Sequence, residues 1–156
     1  MTHFHPEFKV VSLDQASPGA LVIFDGTPAF VGINPAAGAQ VKVLAQYQSS
    51  SGQFVYRYSD SQPAPRVLVP DQEMIVVRPK LDTFTVDVNL GPPSSQLFVD
   101  QSERFVVVSI PSANQYRVLS LNSGHLISAS TSQKDAFTSW EIGLKSLGQF
   151  VPVLSI

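Results

Sequence analysis

The residues able to carry acid–base or metal chemistry are few. Histidine occurs only at His3, His5 and His125, and cysteine does not occur at all. His3 and His5 form an H-x-H pair; alternate strand residues share a face, so the pair could hold a metal weakly, with Glu7 the nearest acidic neighbour. A polar tail explains it better, because no further donor stands at ligand spacing. His125 follows Gly124 in "NSGH", which reads as an exposed turn. Asp25 and Asp100 each follow an apolar run, and an aspartate there satisfies the backbone donors of a turn. A catalytic dyad would require those two turns to meet. The sequence contains no G-x-S-x-G elbow, no Gly-rich phosphate loop and no H-E-x-x-H pair. Without cysteine there is no thiolate nucleophile, disulfide or Cys-based zinc site. No catalytic residue, metal ligand or cofactor is therefore assigned, and the chain reads as non-enzymatic.

Recognition chemistry is better represented. In "VKVLAQYQSSSGQFVYRYSD", residues 41–60, Phe54, Tyr56 and Tyr58 alternate along the second strand of an expected hairpin, and Tyr47 stands on the first. Arg57 lies between two of these rings, and Arg66 ends the Pro-rich loop "QPAPR". Rings interleaved with arginine form stacking platforms for single-stranded nucleic acid, and small barrels dock Pro-rich peptides on aromatic grooves. Tyr47, Tyr56, Arg57, Tyr58 and Arg66 are accordingly the candidate binding residues. A protein or peptide is the favoured partner. Nucleic acid is disfavoured by a net charge of −2, which supplies no general attraction to phosphate. The plainer alternatives are solvated arginines on a strand and a rigid loop at "QPAPR".

The elements that would position these residues are short strands. Of 156 residues, 44% are hydrophobic and 14% charged, the latter well below the usual ~25%. Valine, serine and glutamine are abundant, and 12 prolines and 9 glycines punctuate the chain. That composition suits strands and turns rather than long helices. "ALVIF", "AFVGI", "QVKVLAQY", "QFVYRY", "VLV" and "MIVV" follow one another with turn residues between them. The fold class is all-β.

The second half repeats the order with "LFVD", "RFVVVSI", "YRVLSLN" and "HLISAS". Sliding the chain by 75 residues pairs Asp25 with Asp100, Phe30 with Phe105, Lys42 with Arg117 and Leu44 with Leu119; a shorter second turn then sets Gly52 opposite Gly124. Phe54 meets Leu126, whereas Tyr47 meets Asn122, Tyr56 meets Ser128 and Tyr58 meets Ser130. On this alignment Phe54 belongs to the core, and the three tyrosines form an exposed cluster special to the first copy.

The strand order, opening on "SPGALVIFDG" and closing on "LVPDQEMIVVRP", resembles an SH3-like barrel, a pattern that covers Leu13 to Pro79 and, more loosely, Val86 to Ile156. The expected organisation is a flexible N-terminus (1–7), a first small β-barrel (8–80) and a second (81–156). A single β-trefoil is the competing architecture. One segment departs from the strand pattern: "SQKDAFTSWEIGLKSLG" sets Phe137, Trp140, Leu144 and Leu147 at helical spacing, predicting a short helix near 133–147. Gly143, Thr138 and Ile142 count against it.

The chain start lacks a basic segment followed by an apolar run, and no apolar stretch reaches the ~18 residues of a membrane helix, so the expectation is a cytoplasmic protein without a membrane partner. Two functions remain. One is a binding or adaptor module presenting the first barrel's aromatic surface. The other is a structural subunit of a virion or multiprotein particle, self-association included, which low charge and exposed short strand edges suit.

Overall fold

The structure, a computed structural model, describes residues 8–34, 41–57, 64–70, 74–90, 94–111, 115–128 and 133–156. It is all-β. The strands are β1 (Phe8–Ser12), β2 (Leu21–Phe24), β3 (Thr27–Asn34), β4 (Val41–Gln48), β5 (Gln53–Tyr56), β6 (Arg66–Pro70), β7 (Met74–Pro79), β8 (Phe84–Asn89), β9 (Leu97–Asp100), β10 (Glu103–Ile110), β11 (Gln115–Ser120), β12 (Leu126–Ser128), β13 (Gln133–Phe137), β14 (Trp140–Ser146) and β15 (Gln149–Ser155). Single 3-10 turns at Leu13–Gln15 and Leu81–Thr83 complete the described elements.

The expected helix near 133–147 is not formed; that segment is β13 and β14. Its apolar residues follow a period of two as well as the helical one, and the shorter period wins. Trp140, Ile142 and Leu144 are all buried on one face of β14, while Leu147, which a helix would have turned inward, is 95% exposed. Gly143 has a further reason to lie in a strand. A β-bulge falls between Ile142 and Gly143, and a side chain at Gly143 would collide with the carbonyl of Val151 on β15.

Strand pairing repeats. The large sheet contains the order β1-β6-β2-β3-β4-β5 and then the same order again as β8-β13-β9-β10-β11-β12. The recurrence is twofold, and the described residues hold no third copy of the kind a trefoil would need. The two halves interlock. β5 of the first pairs in parallel with β10 of the second, through Val108 with Phe54 and Ser109 with Val55. The matching approach of the second half to the first is one parallel bridge, Ile33 with His125, where the Ile33 amide donates to the Gly124 carbonyl at 2.6 Å. A separate three-stranded sheet, β15-β14-β7, crosses the 80/81 boundary a second time. The sheets are not closed into a barrel, and neither half's strands pair only among themselves.

Three apolar clusters follow from this arrangement. Leu13, Val22, Val31, Leu44 and Val67 pack within the first half, and Leu90, Phe98, Phe105, Val107 and Val118 within the second. The largest joins the halves: Leu21, Phe30 and Phe54 meet Leu97, Val106, Leu119, Trp140 and Ile142. Its area is removed from water only when both halves are present, so the hydrophobic driving force holds them together.

Candidate functional site

The β4–β5 hairpin carries two of the five candidate binding residues, Tyr47 and Tyr56, and Arg57 follows it directly. Tyr47 pairs with Phe54, and Tyr56 with Ala45. Residues 54 and 56 share a face, and that face is the inner one. Phe54 is buried, with its ring 5.6 Å from Phe30 and 6.2 Å from Trp140. Tyr47 and Tyr56 are half-buried against the same cluster, the Tyr47 ring 5.4 Å from that of Phe54. These two tyrosines extend the central core towards its rim; they do not stand on it as a free-standing platform. Arg57 is exposed, and its amide donates to the Leu44 carbonyl at 3.0 Å. Arg66 opens β6 opposite Ser12, and β2, β3 and β4 intervene between its strand and β5. Tyr58 lies outside the described residues, as do His3, His5 and the rest of residues 1–7.

Register also revises the repeat alignment at Tyr47. The Gln48–Gln53 pair closes a loop of residues 49–52, and the Ser120 amide, bonded to the His125 carbonyl at 3.1 Å, closes one of equal length over 121–124. The turns match, with Gly52 and Gly124 both at positive φ, and the second turn is not the shorter one. β11 is instead shorter than β4. Across the hairpin Leu119, fully buried, faces Leu126 as Tyr47 faces Phe54, while on its other side Leu119 pairs with Val106, as Ala45 does with Phe30. Tyr56 still falls opposite Ser128. A shift of one residue separates Asp25 from Asp100. Asp25 sits in the β2–β3 turn at φ 52°, and the residue with that conformation between β9 and β10 is Gln101, at φ 56°. Asp100 instead pairs with Lys134 at 2.7 Å.

Compared with known proteins, the chain matches no family model, no curated protein and no solved structure. Its own surfaces must therefore carry the functional argument. Among the described residues no group of three or more His, Asp or Glu side chains is placed to hold a metal ion, and His125 is exposed. No described helix is long and apolar enough to cross a membrane.

Two clefts among the described residues bear on function. One, of about 360 Å³, lies where β7, β14 and β15 end, between Arg78, Lys80, Ser139, Glu141 and Ser155. Its charges are already engaged in part: Arg78 Nε is 3.8 Å from Glu141 Oε1, and its guanidinium lies 4.5 Å from the centre of the Phe150 ring. The other, of about 460 Å³, lies beside β1, β6 and β7, with Val11, Ala16, Ala20 and Val69 within it.

The most unusual surface escapes the aromatic search. β8 is the outer strand of its half, and Leu81, Phe84 and Val86 on and before it are 77%, 48% and 59% exposed. β1, its counterpart, leaves Val10 61% exposed. "FKV" at Phe8 and "FTV" at Phe84 are the sequence signal that could have located both strands. Each carries a deterrent to uncontrolled strand pairing: Lys9 on β1, and on β8 a bulge opposite Asp135 with Asp87 at φ 57°. Contact at these edges would therefore run through side chains.

Proposed function

We propose that the protein is a non-enzymatic assembly subunit, acting by association with other protein surfaces. The observation that carries this reading is the run of exposed apolar side chains at Leu81, Phe84 and Val86; the equivalent outer strand of the other half likewise exposes Val10. Large apolar side chains grouped at the edge of a sheet cost solvation free energy unless a partner covers them. The low charged content, 14%, suits a surface that becomes buried in an assembly. A homo-oligomer or a multiprotein particle both meet that description. The cytoplasm is the compartment we infer.

The binding-module reading, with Tyr47, Tyr56, Arg57, Tyr58 and Arg66 as its surface, is the second proposal. Support for it narrows to the neighbourhood of Tyr56 and Arg57, where a half-buried ring adjoins an exposed arginine. A peptide or protein fits that pair better than nucleic acid, because so small a cationic group gives little phosphate attraction.

Light scattering across a concentration series tests the first proposal. Concentration-dependent mass above that of one 16.9 kDa chain is expected. A constant monomer mass at millimolar concentration, or association that Val86→Thr leaves undiminished, would remove its basis.

A further inference from the structure

The β14–β15 hairpin turns through Leu147 and Gly148, with φ of 51° and 79°. A two-residue turn with both φ positive asks for Asn-Gly or Asp-Gly. The molecule builds that turn elsewhere with the preferred residues: Asp25 and Gly26, at φ 52° and 75°, join β2 to β3. Four described residues other than glycine have positive φ; Asp25, Asp87 and Gln101 are polar, and Leu147 alone is apolar. It is also 95% exposed. Leu147 thus combines an unfavourable backbone conformation with an unfavourable exposure, and Asp25 demonstrates that the fold requires neither. Strain of this kind persists where something other than the turn selects the side chain.

The cleft of about 460 Å³ supplies a complementary site. Its buried or half-buried members, Val11, Ala16, Ala20 and Val69, are apolar, while Lys9, Gln15 and Ser17 at its mouth are exposed and polar. An apolar floor within a polar rim is the anatomy of a pocket that takes one anchoring side chain. Ile75 also lines it, and Ile75 pairs with Leu144, three residues before Leu147. The Leu147 turn and the cleft thus lie towards the same end of the β7–β14 ladder, an arrangement that a self-complementary twofold interface can use.

We propose that the protein forms a twofold dimer in which Leu147 of each copy enters the cleft beside β1, β6 and β7 of the other. This rests on the assembly reading and names the partner, a second copy of the chain. Exchange of the same anchor and pocket in both directions closes the pair, whereas a one-way contact would leave a free anchor at one end and a free pocket at the other. The small net charge of −2 offers little repulsion between copies.

The test is sedimentation of the wild type, Leu147→Asn, Ile75→Glu and an equal mixture of the two variants. Asn suits the turn, so Leu147→Asn is expected to raise the melting temperature of the isolated chain while weakening the dimer by about a hundredfold or more, since two anchors are lost together. Ile75→Glu, which places a charge at the pocket wall, should weaken it similarly. The mixture retains one intact anchor in one intact pocket and should dimerise with intermediate affinity. A wild type that associates while Leu147→Asn does so equally well overturns the dimer proposed here and leaves the assembly reading standing. A wild type that never associates overturns that reading itself. A mixture no tighter than either variant alone overturns the twofold exchange.

Discussion

Tyr47 lies directly across the β4–β5 hairpin from Phe54, its ring 5.4 Å away, much as Leu119 lies across from Leu126 in the second half. Both pairs pack against the central cluster, the tyrosine half-buried and the leucine fully buried. The tyrosine is there mainly as an apolar body against the core.

Truncating that ring should therefore destabilise the fold. Tyr47→Ala is expected to cost about 2–4 kcal/mol in urea unfolding, because it opens space beside Phe54 and removes a ring contact. Tyr47→Phe keeps the ring and should stay within about 1 kcal/mol of wild type. An alanine variant as stable as the parent would mean that the tyrosine serves recognition and not packing.

The equivalent turn glycines should respond very unequally. Gly52 and Gly124 both have positive φ, so any side chain strains either backbone. At Gly52 an added Cβ meets nothing within 4 Å, whereas at Gly124 it would lie 2.5 Å from Pro18 Cβ and 2.6 Å from the Gly19 nitrogen. Gly52→Ala should cost about 1 kcal/mol, and Gly124→Ala several times as much, because the Pro18–Gly19 backbone cannot yield easily. The midpoints of paired denaturation curves decide it; equal losses would place the Gly124 turn away from Pro18.

Much of this architecture is legible in the residues. The strand runs, the doubled order and the equivalence of Gly52 with Gly124 all come from patterns of apolar residues and turn glycines, because period-two burial and positive φ constrain side-chain type directly. Three things are not legible, each for a physical reason. The β13–β14 segment has Phe137, Trp140, Leu144 and Leu147 at helical spacing, and only the tertiary partners of Trp140, Ile142 and Leu144 select the strand period. The place of Tyr47 depends on β11 being shorter than β4, which a gap in the alignment can mimic by a shorter turn. Interlocking of the halves rests on parallel pairs such as Val108 with Phe54, contacts between residues far apart in sequence that no local pattern records. The exposed residues are the least legible, since nothing in the residue types of Leu81, Phe84 and Leu147 signals that the fold leaves them facing outward.

Trp140 is the natural reporter of the join between the sheets. It is 2% exposed, lies 6.2 Å from Phe54, and donates its indole N–H to the Ser95 carbonyl at 2.7 Å. Trp140→Phe retains most of the buried ring but leaves that carbonyl without its donor, an expected loss of about 1–3 kcal/mol. Trp140→Ala should cost about 3–5 kcal/mol. In the wild type, the chain's single tryptophan should resist acrylamide quenching until global unfolding. Strong quenching in the native state would contradict its burial.

Cutting the chain after Lys80 probes whether the halves are independent. The first fragment would keep β1 to β7 but lose β10, which pairs with β5, and β14, which pairs with β7. The second would expose Leu97, Val106, Leu119, Trp140 and Ile142, which bury themselves partly against Leu21, Phe30 and Phe54 of the first. Neither fragment should therefore unfold cooperatively by circular dichroism, because each leaves both an open strand edge and a share of the largest core in water. Mixed in equal amounts, the fragments should recover the far-ultraviolet spectrum and the quenching protection of the intact chain, since every pair lost by the cut except the covalent link can re-form. A first fragment that melts cooperatively on its own would establish residues 8–80 as a self-sufficient domain, and the parallel β5–β10 contact would then be an interface between two domains instead of part of one shared core.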